Sequence, residues 1–447
     1  MRARTRTARR WMAFAAAATV VATAAGCSAS DNDGDSGGGS GSDGKKITLT
    51  VGTFGSFGFD NENGAKLYAE YEKLNPNIKI KETNVADGQK YWDALKLRMS
   101  QGSGVADVQA IEVGYIAEAT GPTMADKWVD LSKDQGANVA GFPEWKTGQA
   151  TTKDGATIAL GTDIGPMAVC YNKDLFKAAG LPTDREEVGK LWAGDWAKFV
   201  EAGKTYQKKA PKDTFFHDSG SGLFNAVLSS QPQQYSDDSG KLVYDTSPGV
   251  KKAWDLAVSA VDAKITAGLR QFDEAGTWNA AYKNSKFATV ACPSWMTGII
   301  AEQAGPANKG KWDIAAPPQN GNWGGSFLGV PKAGKNVAEA TKLAAWLTAP
   351  EQQIKVFGVN GNIPSRTDAL SSTEVQNTKV DYFGDTPVGQ IYTTIAKDVT
   401  SAPIGAHDGQ VKTFLTDNGI LDIEKQGTDP AKAWDNVKKL VEDKIDQ

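Results

Sequence analysis

Histidine and cysteine are nearly missing: the 447 residues include two His and three Cys. That shortage excludes a zinc site of imidazoles and thiolates, and leaves carboxylate-bound Ca²⁺ as the metal chemistry the composition still admits. No G-x-S-x-G occurs within residues 45–447, so the usual nucleophile elbow is missing. No short-period repeat is present, and no apolar run reaches the ~20 residues of a permanent spanning helix. Gly329 to Asn336 (GVPKAGKN) approaches a phosphate loop and fails it. Asn336 stands where a Mg²⁺-binding hydroxyl is needed, and Pro331 removes a backbone N–H. His217-Asp218-Ser219 gathers triad residue types, but neighbours in sequence rarely aim at one reacting atom, so a polar loop after Phe215-Phe216 is expected.

Positive charge is scarce outside the first segment. The formal charge is −4, but residues 1–26 hold five Arg and no acid, so the remaining 44 basic and 53 acidic groups give −9. A body this acidic repels phosphate backbones, which argues against nucleic-acid binding. Hydrophobic residues make up 40%, as in a soluble globular protein.

The amino terminus has the layout of a signal peptide over residues 1–26. Arg2, Arg4, Arg6, Arg9 and Arg10 form its basic end, and Trp11 to Ala25 is apolar and closes in small side chains. Ala25-Gly26-Cys27 resembles the lipobox of bacterial lipoproteins, with Ala24 where that pattern prefers Leu. The resemblance implies a lipidated Cys27; ordinary cleavage leaving a free thiol is the alternative. Each buried CH₂ of such an anchor contributes ~0.8 kcal/mol. Ser28 to Gly44 holds six Gly, five Ser and four Asp. With Cys27 it reads as a flexible tether over 27–44, whose r.m.s. span is roughly 20–25 Å.

The remaining length exceeds one ordinary core and predicts two lobes. Lys46 to Val51 alternates as a strand ending at a Gly-rich turn, Leu67 to Leu74 has helical spacing, and Ile78 and Ile80 alternate again. A helix around Trp92, Leu95 and Met99 precedes a strand at Val108 to Val113. This βαβ series predicts a mainly parallel sheet with helices on both faces. Pro166 to Tyr171 and Phe287 to Cys292 read as further strands. Helical stripes recur at Val250, Trp254, Ala257 and Val261, at Val337, Ala340, Ala344 and Leu347, and at Trp434, Val437, Val441 and Ile445. Two such lobes leave a cleft between them, a frequent ligand location. With Cys27 set aside, Cys170 and Cys292 lie in apolar strand-like runs. They are expected either to form a disulfide or to remain as two buried thiols.

Several segments together resemble one family. Leu160 to Phe176 (LGTDIGPMAVCYNKDLF) with Ala179-Gly180-Leu181-Pro182 is similar to the lobe-crossing segment of carbohydrate solute-binding proteins of ABC importers. That is the group containing maltose-binding protein. Phe287 to Trp295, Asn322 to Pro331, Trp346 to Gln353 and Gly361 to Arg366 fit later parts of the same pattern, over essentially all of residues 45–447. Within the family the likeness is to cellobiose- or cello-oligosaccharide-binding lipoproteins. It implies a two-lobed α/β periplasmic-binding-protein fold of type II, with an N-terminal lobe of 45–162 plus 325–370 and a C-terminal lobe of 163–324 plus 371–447. Chain crossings are expected near 161–166, 321–325 and 367–375. It implies no catalysis, no cofactor and no metal. The expected partners are an oligosaccharide, a membrane permease with its ATPase, and the membrane through the anchor; the chain is expected to be a monomer.

A sugar offers an apolar C–H face and a rim of hydroxyls, so aromatic rings and polar side chains at cleft positions are the candidates. Trp295, Trp323 and Trp278 are expected to stack. Glu112, Asp163, Asp218 and Arg366 are expected at the rim, with a structural salt bridge as the alternative for Arg366, and Phe54 and Phe57 are expected either at the entrance or packed in their turn. Trp92, Trp254, Trp346 and Trp434 are expected in the core. Another solute, such as a polyol or other glycoside, and a secreted glycoside hydrolase are the alternatives.

Overall fold

A computed structural model describes residues 46–445 apart from 274 and 400. The signal peptide, Cys27 and the tether lie outside the described residues. No described helix is long and apolar enough to cross a membrane.

Nine strands occur among the described residues: β1 (Ile47–Phe54), β2 (Ile78–Val85), β3 (Val108–Glu112), β4 (Ala159–Gly161), β5 (Met167–Asn172), β6 (Phe215–His217), β7 (Phe287–Pro293), β8 (Trp312–Ala315) and β9 (Ser326–Gly329). They form two sheets, ordered β2-β1-β3-β9-β4 and β6-β7-β5-β8. In the first, β1 runs parallel to β2 and β3, while β9 enters antiparallel between β3 and β4. In the second, only β6 and β7 are parallel. The βαβ series of β1, β2 and β3 is parallel as expected, and the antiparallel neighbours are β9 in the first sheet and β5 in the second. The βαβ rule holds where a helix returns the chain across the first sheet. It lapses where a strand arrives from the other sheet and enters from the opposite end.

β1 runs past its expected stop at Gly52 and pairs with β2 as far as Phe54↔Val85. A glycine suits that interior position, because a Cβ at Gly52 would collide with the Gln109 amide. Gln109 Oε1 itself accepts the Tyr91 hydroxyl at 2.6 Å. Val113, expected in β3, instead starts the helix Val113–Ala119, whose first turn is capped by the Glu112 carboxylate accepting from Gly114 N at 2.8 Å.

Each sheet carries its own core. Leu49, Val51, Ile111, Phe327 and Leu328 pack with Trp92 and Leu343 about the first. In β5, Met167, Val169 and Tyr171 enter one core and Ala168 and Cys170 another, so this strand is buried on both faces. Cys170 and Cys292 are joined as a disulfide between β5 and β7. The helical stripes are as expected: Trp92 and Trp254 are buried, and Trp346 and Trp434 pack at the edges of their cores.

Three connecting segments lie side by side between the sheets. Trp323 N donates to Gly165 O at 2.8 Å, and Ile164 N to Ile363 O at 3.2 Å. Gly165 has no room for a side chain, since a Cβ would collide with the Trp323 carbonyl oxygen. The third segment includes Ile363. Val356 packs in the core of the first sheet, whereas Phe357 and Ile363 pack in a core of the second. Helix Pro350–Asn360 touches two cores, and the chain beyond it still meets the first half, where the Arg366 guanidinium lies over Phe142.

The GVPKAGKN segment ends β9 in a tight turn, with Asn336 N donating to Asp107 Oδ1 at 3.0 Å. A carboxylate sits where a phosphate would have to. His217-Asp218-Ser219 is no exposed loop: His217 ends β6, Ser219 caps helix Gly220–Ser229, and all three are buried.

Candidate functional site

A cavity of about 300 Å³ lies where the two halves face each other. From the first sheet come the turn after β1 and the end of β3. From the second come segment 270–272 and the start of helix Met296–Ala304. The connecting segments form its floor.

Trp295 and Trp323 meet edge to face, ring centroids 5.8 Å apart at 80°, and Trp295 Nε1 donates to Trp323 O at 3.0 Å. Each indole is only partly buried and lines the cavity. Trp295 immediately precedes its helix, and Trp323 is followed by Gly324 and Gly325 at φ +90° and +98°, a backbone region that favours glycine. Across the cavity, Phe54 and Phe57 form another edge-to-face pair at 5.2 Å and 88°. Phe54 is partly exposed, and Phe57 is held against Phe59 with its centroid 5.6 Å away.

Glu112 lines the cavity beside its helix cap, and Asp163 lines the floor. Asp163 Oδ1 accepts from Thr162 Oγ1 at 2.7 Å and Ser326 N at 2.9 Å. Burial raises its pKa, opposed by the charge of Lys146. Lys146 is itself buried, with Nζ 3.6 Å from the Phe327 ring centroid, and burial lowers its pKa to about 8 against the pull of Asp163 and Glu112. Beneath the floor, therefore, a cation and two acids share a poorly solvated space.

Asp218, Trp278 and Arg366 do not line this cavity. Asp218 is 0% exposed and Trp278 is 1% exposed. Asp218 Oδ2 accepts from Trp278 Nε1 and from Gln271 Nε2, each at 2.8 Å. Gln271 does reach the cavity, so the carboxylate acts from behind by fixing that amide. Arg366 is also buried; its Nη2 and Nε donate to Asp368 at 2.8 and 3.0 Å, and its guanidinium lies over Phe142. It holds a turn together. These residues stand near turns in the sequence, but the packing that buries them comes from distant segments.

Four cavity residues carried no sequence signal. Phe272 is exposed and adopts φ +59°, rare for a bulky residue, with its ring 4.8 Å from Trp278 and 6.2 Å from Trp295. Arg270 pairs with Asp417 at 2.8 Å, and the hydrogen bond it donates to that carboxylate raises the pKa of the guanidinium. Asn225 and Lys412 complete the set. Lys412 lies in helix Asp408–Thr413, which continues into a π-helical stretch, Phe414–Ile420, that turns Thr416 and Asp417 toward the cavity. No group of three or more His, Cys, Asp or Glu suited to a metal occurs among the described residues.

Two α/β halves that face a cavity floored by their own connecting segments define a two-lobed ligand-binding protein of the periplasmic-binding-protein fold. The model of the bacterial extracellular solute-binding protein family matches residues 66–380. This chain belongs to that family, whose members carry a solute without transforming it. An arabinooligosaccharide-binding protein of Bacillus subtilis (strain 168) is 26% identical over 409 residues, covering 87% of this chain and 90% of that one. A crystal structure of an extracellular solute-binding protein of family 1 is 39% identical with a TM-score of 0.73, covering 88% of this chain and 98% of that one. Maltose-bound MalE3 of T. maritima has the same fold at 19% identity, with a TM-score of 0.69 and coverage of 88% and 98%.

Proposed function

We propose that this chain captures an oligosaccharide in the cleft and delivers it intact to an ABC importer. The perpendicular Trp295–Trp323 pair at the cavity carries the reading. The partly exposed indoles can cover the C–H face of a sugar ring, while Glu112, Asp163, Gln271 and Asn225 line the same cavity with groups for hydroxyls. A hydrolase would need two carboxyls flanking one bond, and Asp163 is already engaged by two donors. Cello-oligosaccharides are the first candidates on the segment resemblance. Arabino-oligosaccharides are the second, because the Bacillus relative is named for them. The signal peptide and lipobox-like Cys27 favour export and anchoring on the outer face of the membrane, where a monomer would meet its permease.

Calorimetric titration with sugars of both series tests the reading. One-site binding without cleavage is expected, and Trp295→Ala should weaken it at least tenfold, ~1.4 kcal/mol. Unchanged affinity in that variant removes the stacking role; turnover of the sugar would make the protein a hydrolase.

A further inference from the structure

A smaller chamber of about 100 Å³ adjoins the main cavity. Glu112, Asn225, Trp323, Gly324 and Lys412 line both, so the two are compartments of one groove with Trp323 as the partition. Beyond it, Trp145 and Gln149 come from helix Glu144–Gln149 and face Leu228 and Tyr235. Trp145 is only partly buried, so part of its surface remains for a guest.

The chamber has hydrogen-bonding capacity to spare. Gln149 Nε2 donates to Ser401 Oγ at 3.3 Å, but Gln149 Oε1 is buried without a donor. A desolvated amide oxygen in that state gains from any hydroxyl brought to it. At the partition, the Asn225 amide and the Lys412 ammonium have no hydrogen-bond or ion-pair partner among the described side chains, and both groups bind hydroxyl oxygens. An aromatic wall, an orphan acceptor and free donors beside the partition repeat, on a smaller scale, the chemistry of the main cavity.

Resting on the oligosaccharide reading above, we propose that the ligand is a linear chain of at least three sugar units. It passes Trp323 and seats its third ring in the smaller chamber against Trp145, with a hydroxyl donating to Gln149 Oε1. The chamber has a third of the volume of the main cavity, so the larger share of the chain stays in the main cavity.

Titration with arabino- and cello-oligosaccharides of two, three and four units tests this. In whichever series binds, the trisaccharide should bind at least tenfold more tightly than the disaccharide, and the fourth unit should add less than twofold. Gln149→Ala should reduce the gain from the third unit at least threefold and leave disaccharide affinity within twofold. Trp145→Ala should abolish the gain; because Trp145 also touches a core, its thermal unfolding is measured alongside, and Gln149→Ala decides if it is unstable. Equal affinity for two and three units, or equal losses for both in Gln149→Ala, overturns the second chamber while leaving saccharide binding intact. Absence of binding throughout both series overturns the carbohydrate reading itself.

Discussion

His217 Nδ1 lies 3.0 Å from Thr289 Oγ1, and that hydroxyl donates to Phe216 O at 2.6 Å. The imidazole must therefore donate through Nδ1, which leaves the Nε2 lone pair facing Asp218 Oδ1 at 3.3 Å. Two acceptors in so dry a place call for a proton between them. Burial lowers the His217 pKa to about 3 and raises that of Asp218 to about 6. A raised carboxyl pKa means the folded state holds the proton more tightly. Its stabilising contribution is complete below the ordinary pKa of 3.8 and is lost as pH rises through about 6. Asp218→Asn retains an acceptor for Trp278 and Gln271 and turns an N–H toward His217 Nε2. Its melting temperature should equal or exceed that of the parent at pH 8, and the difference should shrink as pH falls and vanish below the ordinary carboxyl pKa of 3.8. Thermal unfolding across that range checks this, and a variant less stable at pH 8 would contradict the shared proton. Trp295 and Trp323 were legible as cleft residues because Pro and Gly neighbours mark a strand end locally. Asp218 and Trp278 were not, because their burial depends on contacts some 50–60 residues away, such as the 53-residue separation to Gln271. Phe272 was hidden for a related reason, since a positive φ in a bulky residue is imposed by its surroundings.

At the scale of elements, helices were read more fully than sheets. Periodicity reports which face of a helix is apolar, and that suffices to place Trp92 or Val437. Strand direction is set by partners that periodicity does not encode, which is why the antiparallel entry of β9 beside β3 is not legible in the sequence. The disulfide is a property of the second sheet alone. It bridges β5 and β7 across a sequence separation of 122 residues, so it restrains a long loop of the unfolded chain. Replacing both cysteines by Ala should lower stability by about 2–4 kcal/mol in urea unfolding. Both residues lie within one half, so sugar affinity should stay within twofold. A stable double variant with impaired binding would show that the bridge shapes the site.

For the molecule as a whole, the two sheets, the cores and the cleft followed from length, βαβ order and the quoted segments. The double packing of helix Pro350–Asn360 did not, because a helix that serves two cores looks like any other. The segments joining the halves are few and narrow, which suits hinge closure on a guest. Solution scattering should show a smaller radius of gyration with saturating trisaccharide than without it, and superimposable curves would exclude closure. The floor of the cavity gives this motion a particular character. Trp323 and Asp163 belong to the strips of chain that must bend, so whatever rests on them bears on the fulcrum itself. A guest of the wrong bulk would act as a doorstop there, and the swing would register fit before any permease is met.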